Sequence, residues 1–413
     1  MEPALPRPTL RGNIRSMPGS AWVLFTGSFV NRLGTFVLPF ITLYLTSPGQ
    51  DFSPPQAGVA IAAYGLGGLL SQVFGGLLAD RIGRKNAIAL SMTSAGVLTL
   101  ALWQADTLAL IYPLMFALGC MGELHRPAAG ALIADLLPSA QRVTAFTLYR
   151  LAVNVGWAVG LALGGFLAER SFDYLFVGDA ATSIAFGVIS YVALPHGTRT
   201  ARREETHLPT ARASILADRG FLLFLAAVLI TGSVYSQNVS TLPLHIRDAG
   251  FAPSTYGLLQ SLNGLTVVLL ELPIIAWTQR HDRFRVIALG HLLIGLAFAS
   301  LLFAKSLPLL VLMILIWTFG EMIESPVASA IAADRAPPHA RGRYQAAFGS
   351  MFGVAWILGP TLGTLVYEES HAWLWSACGG LGVVAALISL TARRYPVPGL
   401  APTGRVDASA PSG

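Results

Sequence analysis

Residues 55–85 read PQAGVAIAAYGLGGLLSQVFGGLLADRIGRK, an uncharged apolar run that ends in a dense cluster of charges. A helix needs roughly 20 apolar residues to cross the hydrocarbon core of a bilayer, and residues 55–79 meet that length. Asp80, Arg81, Arg84 and Lys85 mark the point where the chain leaves the apolar phase. The stretch therefore predicts a membrane-spanning helix followed by a short polar loop.

Apolar runs of the same kind recur along nearly the whole chain. They predict twelve membrane spans, near residues 20–45, 55–79, 86–105, 107–136, 142–168, 174–194, 219–245, 253–277, 286–304, 307–334, 342–367 and 371–392. The composition agrees, because 54% of the residues are hydrophobic and 12% are charged, against about 25% charged in ordinary soluble domains. The fold class is therefore expected to be all-α and integral to the membrane.

The basic residues indicate the orientation of the chain. Nearly all of them fall on one side of the predicted membrane, and Arg170, Arg247 and Lys305 fall on the other. Because Lys and Arg are retained on the cytoplasmic side, both termini are expected in the cytoplasm of a multi-pass protein of the cell membrane, in a bacterium the inner membrane. The net charge of +6 is scattered over helix ends, so nucleic acid is not expected as a partner.

An internal repeat divides the chain into two halves. A shift of 199 positions superposes Pro127 on Pro326, Asp135 on Asp334, Arg142 on Arg341, Trp157 on Trp356 and Gly160 on Gly359. The expected order is a cytoplasmic segment 1–19, a six-helix bundle 20–194, a cytoplasmic linker 195–218, a second six-helix bundle 219–393 and a disordered tail 394–413. Two such bundles around a central cavity suit alternating access.

The loop after residue 79 carries a further pattern, Gly76-Leu77-Leu78-Ala79-Asp80-Arg81-Ile82-Gly83-Arg84-Lys85. It resembles the signature loop of the major facilitator superfamily and matches it at every defining position. Gly76 is expected to let two helices approach, and Gly83 to make the tight turn. The resemblance implies that Asp135 completes a charge cluster with Asp80 and Arg84, and that Arg81 belongs to the same gating loop.

A second motif lies in the fifth predicted span. Gly156, Gly160 and Gly164 recur every four residues, which leaves one helix face without side chains for close packing. The segment is similar to the antiporter motif of the same superfamily, although Leu161 stands where the family usually has proline. The resemblance implies a twelve-span drug:proton antiporter, with these glycines in a conformational role.

Ionisable side chains at mid-membrane depth are the candidate transport residues, because each costs at least about 2.5–3.5 kcal/mol unless it faces a cavity or a partner. The candidates for substrate binding and proton coupling are Arg32, Glu123, Arg126, Glu321 and Glu324 near mid-depth, and further Glu271 in the inner third of the eighth predicted span and Asp179 in the outer third of the sixth. Glu123 and Arg126 lie on one helical face and can pair. Glu321 and Glu324 repeat that spacing without a cation, so at least one is expected to hold a proton. Arg150 is expected near Asp80 or in the inner vestibule, with a gating role.

These residues predict proton-coupled efflux of hydrophobic or amphipathic small molecules. The alternatives are uptake or facilitated flux of an anionic metabolite or peptide, which Arg32 and Arg126 would suit, and lipid flipping. No nucleophile elbow, metal-ligand spacing or nucleotide-binding loop is present, so an enzyme is not expected. Neither a metal nor a cofactor is expected, the proton gradient is the expected energy source, and the family resemblance implies a monomer in the lipid bilayer.

Overall fold

The computed structural model describes residues 10–195, 215–337 and 340–395, and within these ranges the regular structure is helical. Twelve spans follow in order. They are span 1 (Gly19–Leu33 and Val37–Leu45), span 2 (Pro54–Ile82), span 3 (Arg84–Trp103), span 4 (Leu108–Gly122 and His125–Leu136), span 5 (Ser139–Arg170), span 6 (Asp173–Ala193), span 7 (Arg219–Tyr235, Gln237–Ser240 and Leu242–Asp248), span 8 (Pro253–Thr278), span 9 (Arg283–Ala299 and Ser300–Leu302), span 10 (Leu307–Arg335), span 11 (Arg341–Glu369) and span 12 (His371–Ala392).

Eleven of these spans are long and apolar enough to cross a membrane, and span 2 makes twelve when its two parts, which meet at a 54° bend between Gln72 and Phe74, are taken as one span. Large apolar side chains such as Phe74, Leu272 and Trp373 are more than half exposed, as expected of a surface that faces lipid. The twelve-span prediction is confirmed. The predicted linker 195–218 and tail 394–413 lie outside the described residues except at Pro195, 215–218 and 394–395.

Local sequence signals set the helix ends. Ser53, directly before Pro54, and Gln56 form a capping box at the start of span 2. Gly83 ends span 2 with φ +89°, a conformation that favours glycine, so the predicted tight turn is confirmed. Asp218 and Asp282 accept hydrogen bonds from backbone N–H groups at the starts of spans 7 and 9.

The two halves meet along two seams, which are spans 2 and 11 on one side and spans 5 and 8 on the other. Glycines make close approach possible, since a Cβ on Gly65 would lie 3.0 Å from the Trp356 carbonyl oxygen. The two ends of the bundle carry different charges. The basic end carries the charges of Arg84, Arg142, Arg283 and Arg341, and the acidic end carries Asp51, Asp106, Glu169, Asp173, Asp248 and Glu368.

The buried hydrophobic side chains in the described part of the chain form three clusters. One cluster at the acidic end contains residues of both halves, among them Phe40, Tyr256 and Trp317. At the basic end each half has its own cluster, built around Leu132 in the first half and around Phe224 in the second. The halves therefore share one core at the acidic end and have separate cores towards the basic end. The region between these two separate cores, where Arg126 is 56% exposed, is called the passage below.

Candidate functional site: two carboxylate clusters between the halves

The first cluster forms at the break in span 4, where one helix ends at Gly122 and the next begins at His125. Glu123 lies in this break, and its two carboxylate oxygens have different partners. Arg126 Nε is 2.8 Å from Oε2, and the hydroxyl of Tyr64 donates to Oε1 at 2.8 Å. The predicted Glu123–Arg126 pair is confirmed, and the carboxylate is fully satisfied by one cation and one neutral donor.

Arg32 belongs to the same cluster but has no pair of its own. It lies near the end of the first helix of span 1, two residues before the break at Gly34. Its guanidinium is within electrostatic range of Glu123, Arg126, Tyr64 and Tyr149. Among the described residues, no carboxylate lies within 4.0 Å of that guanidinium. Arg32 therefore has no direct ionic contact among the described residues, although the carboxylates of Glu123 and Asp179 lie within electrostatic range of it.

The second cluster surrounds Glu321, near the middle of span 10. The hydroxyl of Tyr235 donates to Oε1 at 3.0 Å, and Asn263 Nδ2 donates to Oε2 at 2.9 Å. Thr318 also contacts Asn263 Nδ2, at 3.0 Å. Both carboxylate oxygens of Glu321 thus accept hydrogen bonds from neutral groups, and none of these partners is a cation.

Two of these partners, Tyr64 and Asn263, are absent from the sequence predictions. They are related by the same shift of 199 positions that relates the halves, so each half places a neutral donor from its second span against a carboxylate of its fourth span. The sequence repeat could have identified these two residues, because polar side chains at equivalent positions of two apolar helices are rare.

Glu324 was predicted to line the cavity beside Glu321, but in the structure it is buried within its own half. It is 7% exposed and lies where span 10 packs on Gly290 of span 9, since a Cβ on Gly290 would be 3.0 Å from the Cβ of Glu324. The equivalent position in the first half, His125, is also buried, and its backbone N–H bonds to Ser91 of span 3. The helix turn that separates Glu324 from Glu321 directs it into the second bundle.

Asp179 serves the backbone in this structure. The helix of span 1 is interrupted between Leu33 and Val37. The carboxylate of Asp179 accepts hydrogen bonds there from the N–H groups of Phe36 and Val37, both at 3.1 Å. Unpaired backbone donors are costly in an apolar medium, so this carboxylate stabilises the break. Its predicted role in proton coupling stays a prediction.

Arg150 and Glu271 form an ion pair between the halves, with Nη2 and Oε2 2.6 Å apart. The pair lies in the seam of spans 5 and 8, towards the basic end. Arg150 therefore does not meet Asp80, which was one of the two expectations for it, and Glu271 is not a free carboxylate. At the equivalent position of the other seam, a Cβ on Gly349 would be 3.8 Å from Gln72 Oε1, so that seam is uncharged there.

The signature loop forms the expected charge cluster. Arg84 pairs with Asp135, donates to the carbonyl of Ala131 at 2.8 Å and lies 3.8 Å from Asp80. Arg81 is exposed, and a Cβ on Gly76 would meet open space, so the close helix approach predicted at Gly76 is not made in this structure. The same shift of 199 relates Arg84 and Asp135 to Arg283 and Asp334, which also pair.

The glycines of span 5 pack against span 1 as predicted. A Cβ on Gly156 would lie 2.6 Å from the Phe29 carbonyl oxygen, and one on Gly160 would lie 2.9 Å from the Arg32 carbonyl oxygen. Gly164 faces the rings of Phe36 and Phe40. These glycines therefore hold span 5 against the segment of span 1 that carries Arg32 and the break.

The twelve spans, the two related halves and the signature-loop cluster define a secondary transporter fold. The sequence profile of the Major Facilitator Superfamily matches residues 24–253 and 223–411. The chain belongs to this superfamily and is a multi-pass membrane transporter.

Its relatives carry several functional names. It is 26% identical to the uncharacterized MFS-type transporter YqjV of Bacillus subtilis (84% of this chain, 86% of YqjV). It is 25% identical to the multidrug resistance protein MdtH of Aeromonas hydrophila (89% and 94%) and 23% identical to a Na(+), Li(+), K(+)/H(+) antiporter of Planococcus maritimus (88% and 92%). Among solved structures, the nucleoside transporter NupG superposes with a TM-score of 0.77 at 18% identity (92% of this chain, 100% of NupG), which supports the fold.

Proposed function

We propose that this protein is a proton-coupled efflux transporter of amphipathic small molecules, with Glu321 as the residue that carries the proton. The observation that supports the proposal most directly is the difference between the two carboxylate clusters. Glu123 is neutralised by Arg126, whereas Glu321 is held by a tyrosine and an asparagine. A carboxylate with neutral partners in an apolar region is less costly when protonated, so Glu321 can exchange its proton for a positively charged group.

The proposed orientation follows from the charges. With the basic end in the cytoplasm, both termini are cytoplasmic, and the passage opens towards the cytoplasm of a bacterial inner membrane. A substrate would enter from that side, displace the proton from Glu321 and leave on the other side after the halves rock. The proton gradient would reload Glu321, and a single chain would be sufficient. Relatives that are named as a multidrug resistance protein and as a cation/H(+) antiporter support efflux and proton coupling.

The test is flux into proteoliposomes that are acidic inside, with the amphipathic fluorescent probes rhodamine B and ethidium outside. The wild-type protein should accumulate probe faster with the pH gradient than without it. Glu321→Gln should reduce uptake to the rate without a gradient, because the amide cannot exchange a proton. Glu368→Gln is the matched control, since Glu368 is exposed at the acidic end of span 11.

Glu123→Gln should behave differently. It removes the partner of Arg126 and should weaken uptake of probe whether or not a gradient is present, while the remaining flux still responds to the gradient. Wild-type flux that is indifferent to the pH gradient, or gradient-driven flux that survives Glu321→Gln, would contradict the proposal.

A second candidate is proton-coupled uptake of an anionic metabolite or peptide, favoured by the unpaired guanidinium of Arg32. In that case a proton on Glu321 and an anion on Arg32 would travel in the same direction. Liposomes that are acidic outside would then accumulate an anionic substrate, whereas the efflux proposal requires exchange in opposite directions.

A further inference from the structure

The passage contains one unpaired charge site in each half, and the two sites have opposite signs. Arg32 on span 1 is a guanidinium without a carboxylate partner among the described residues, and Glu321 on span 10 is a carboxylate whose partners are neutral. Each lies near the middle of its span, Gly19–Leu45 and Leu307–Arg335. Spans 1 and 10 belong to different halves, and at this depth each packs chiefly within its own half.

The other charges of the passage are already matched. Glu123 is paired with Arg126 and Glu271 with Arg150, and the carboxylate of Asp179 is held in place by the backbone N–H groups of span 1. None of them is available to Arg32 without loss of an existing contact. An ion in direct contact with Arg32 would therefore come from outside the protein, and the substrate is the group that the proposed function brings to this site.

From these contacts we infer that the substrate is a zwitterionic amphiphile, with an anionic group that binds Arg32 and a cationic group that binds Glu321. This inference rests on the proposed function, because it takes Glu321 to be the proton carrier. Before binding, Glu321 is protonated and Arg32 is positive. When the zwitterion binds, the proton of Glu321 is released to water and the two ion pairs leave the site neutral.

The charge balance explains why a zwitterion fits better than the alternatives. A simple cation could neutralise Glu321 but would leave Arg32 uncompensated and would be repelled by it. A simple anion could neutralise Arg32 but would give no reason for the proton to leave Glu321. Only a substrate with both charges satisfies each half and releases one proton per molecule bound. The half-buried aromatic rings of Tyr64, Tyr235 and Trp356 suit an apolar body between its charges.

A matched pair of fluorescent probes can test the inference. Rhodamine B has a free carboxylate and is a zwitterion, and rhodamine B ethyl ester has the same ring system without the negative charge. Binding to the purified protein in detergent is followed by fluorescence anisotropy. The wild-type protein should bind rhodamine B at least about tenfold more tightly than the ester, which is the ratio expected for one good charged contact.

Variants of Arg32 should remove this preference. Arg32→Gln should weaken binding of rhodamine B about tenfold or more and leave the ester unchanged or better bound, because the repelling charge is lost. Arg32→Lys should keep part of the preference, since it retains the charge without the planar fork. Arg170→Gln is the matched control, an exposed arginine at the acidic end of span 5.

Proton release separates this inference from the proposed function. Binding of rhodamine B at mildly acidic pH should release about one proton per molecule, measured with a pH indicator in weakly buffered detergent, and Glu321→Gln should release none. If the wild-type protein binds both probes alike or binds neither, or if Arg32→Gln weakens both equally, the zwitterion inference is wrong. Gradient-driven flux of ethidium that depends on Glu321 would in that case leave the proposed function standing.

Discussion

Glu123 and Glu321 are two glutamates of the site whose hydrogen-bond and ionic partners differ. Both lie at mid-membrane depth and both accept a hydrogen bond from a tyrosine. The second partner differs: it is the cation of Arg126 at Glu123 and the neutral amide of Asn263 at Glu321. A carboxylate held by a cation stays ionised, whereas one held by neutral donors can take up or release a proton.

Asp218 and Asp282 offer a second comparison of this kind. Each aspartate caps the first turn of a span and accepts from an arginine, Arg335 in one case and Arg393 in the other. The Asp218–Arg335 pair is buried, with side chains 1% and 4% exposed, and the Asp282–Arg393 pair is more than one third exposed.

We expect Arg335→Gln to lower the free energy of unfolding by about 3–5 kcal/mol, because it leaves the buried carboxylate of Asp218 without its cation. Arg393→Gln is the matched control and should cost about 0–1 kcal/mol, because solvent screens that pair. Thermal unfolding of the purified protein in detergent checks the difference. Equal midpoints for the two variants would show that the buried pair adds no stability.

At the scale of single elements, some of the spans that carry the site residues are interrupted. Spans 1, 4 and 7 each consist of shorter helices, and Arg32 and Glu123 lie beside such breaks. Broken backbone inside a membrane needs partners for its freed N–H groups, and Asp179 supplies them in span 1. The breaks give the long side chains beside them access to the space between the halves.

We expect Gly160→Ala to lower the free energy of unfolding by about 1–3 kcal/mol, because the added Cβ would press on the carbonyl groups of Arg32 and Leu33. Gly380→Ala is the matched control in span 12, where a Cβ would meet open space. Alanine is the better helix former, so that control should be neutral or stabilising by about 0.5–1 kcal/mol. Thermal unfolding in detergent measures both, and a stabilised Gly160→Ala variant would contradict the close packing of spans 1 and 5.

The sequence was sufficient to predict the elements but not all of their contacts. Span length, the charges at span ends and the repeat of 199 positions predicted twelve spans in two halves, because apolar length and basic flanks are local properties. Partners that lie on other spans were harder to predict. Glu271, Asp179 and Glu324 are each a carboxylate within a predicted span, and only their neighbours in space separate an ion pair, a backbone cap and a buried carboxylate.

At the scale of the whole molecule, the halves share a hydrophobic core at the acidic end and have separate cores at the basic end. Contacts across the halves reinforce the shared core. Thr42 Oγ1 donates to the Val239 carbonyl at 3.0 Å, and Arg247 Nη1 donates to Thr46 Oγ1 at 2.6 Å. The alternate state must break these contacts when the acidic end opens.

We expect Arg247→Ala to favour opening of the acidic end, because it removes the contact with Thr46. After screening by solvent that contact is worth about 1 kcal/mol, so the open population should rise about fivefold. The measurement is maleimide labelling of Val239→Cys in a background with Cys120→Ala and Cys378→Ala, with Arg170→Ala as the control. A labelling rate unchanged by Arg247→Ala would show that this contact does not hold the end closed.

The ion pair between Arg150 and Glu271 makes the two sides of the mouth of the passage differ in charge. The rim formed by spans 5 and 8 presents a charged pair to anything that enters, and the facing rim formed by spans 2 and 11 presents Gln72 and the bare backbone of Gly349. A molecule that carries charge at one end and a hydrocarbon body at the other would be turned before it arrives at mid-depth. The mouth of the passage can therefore select the orientation of an entering molecule as well as its size.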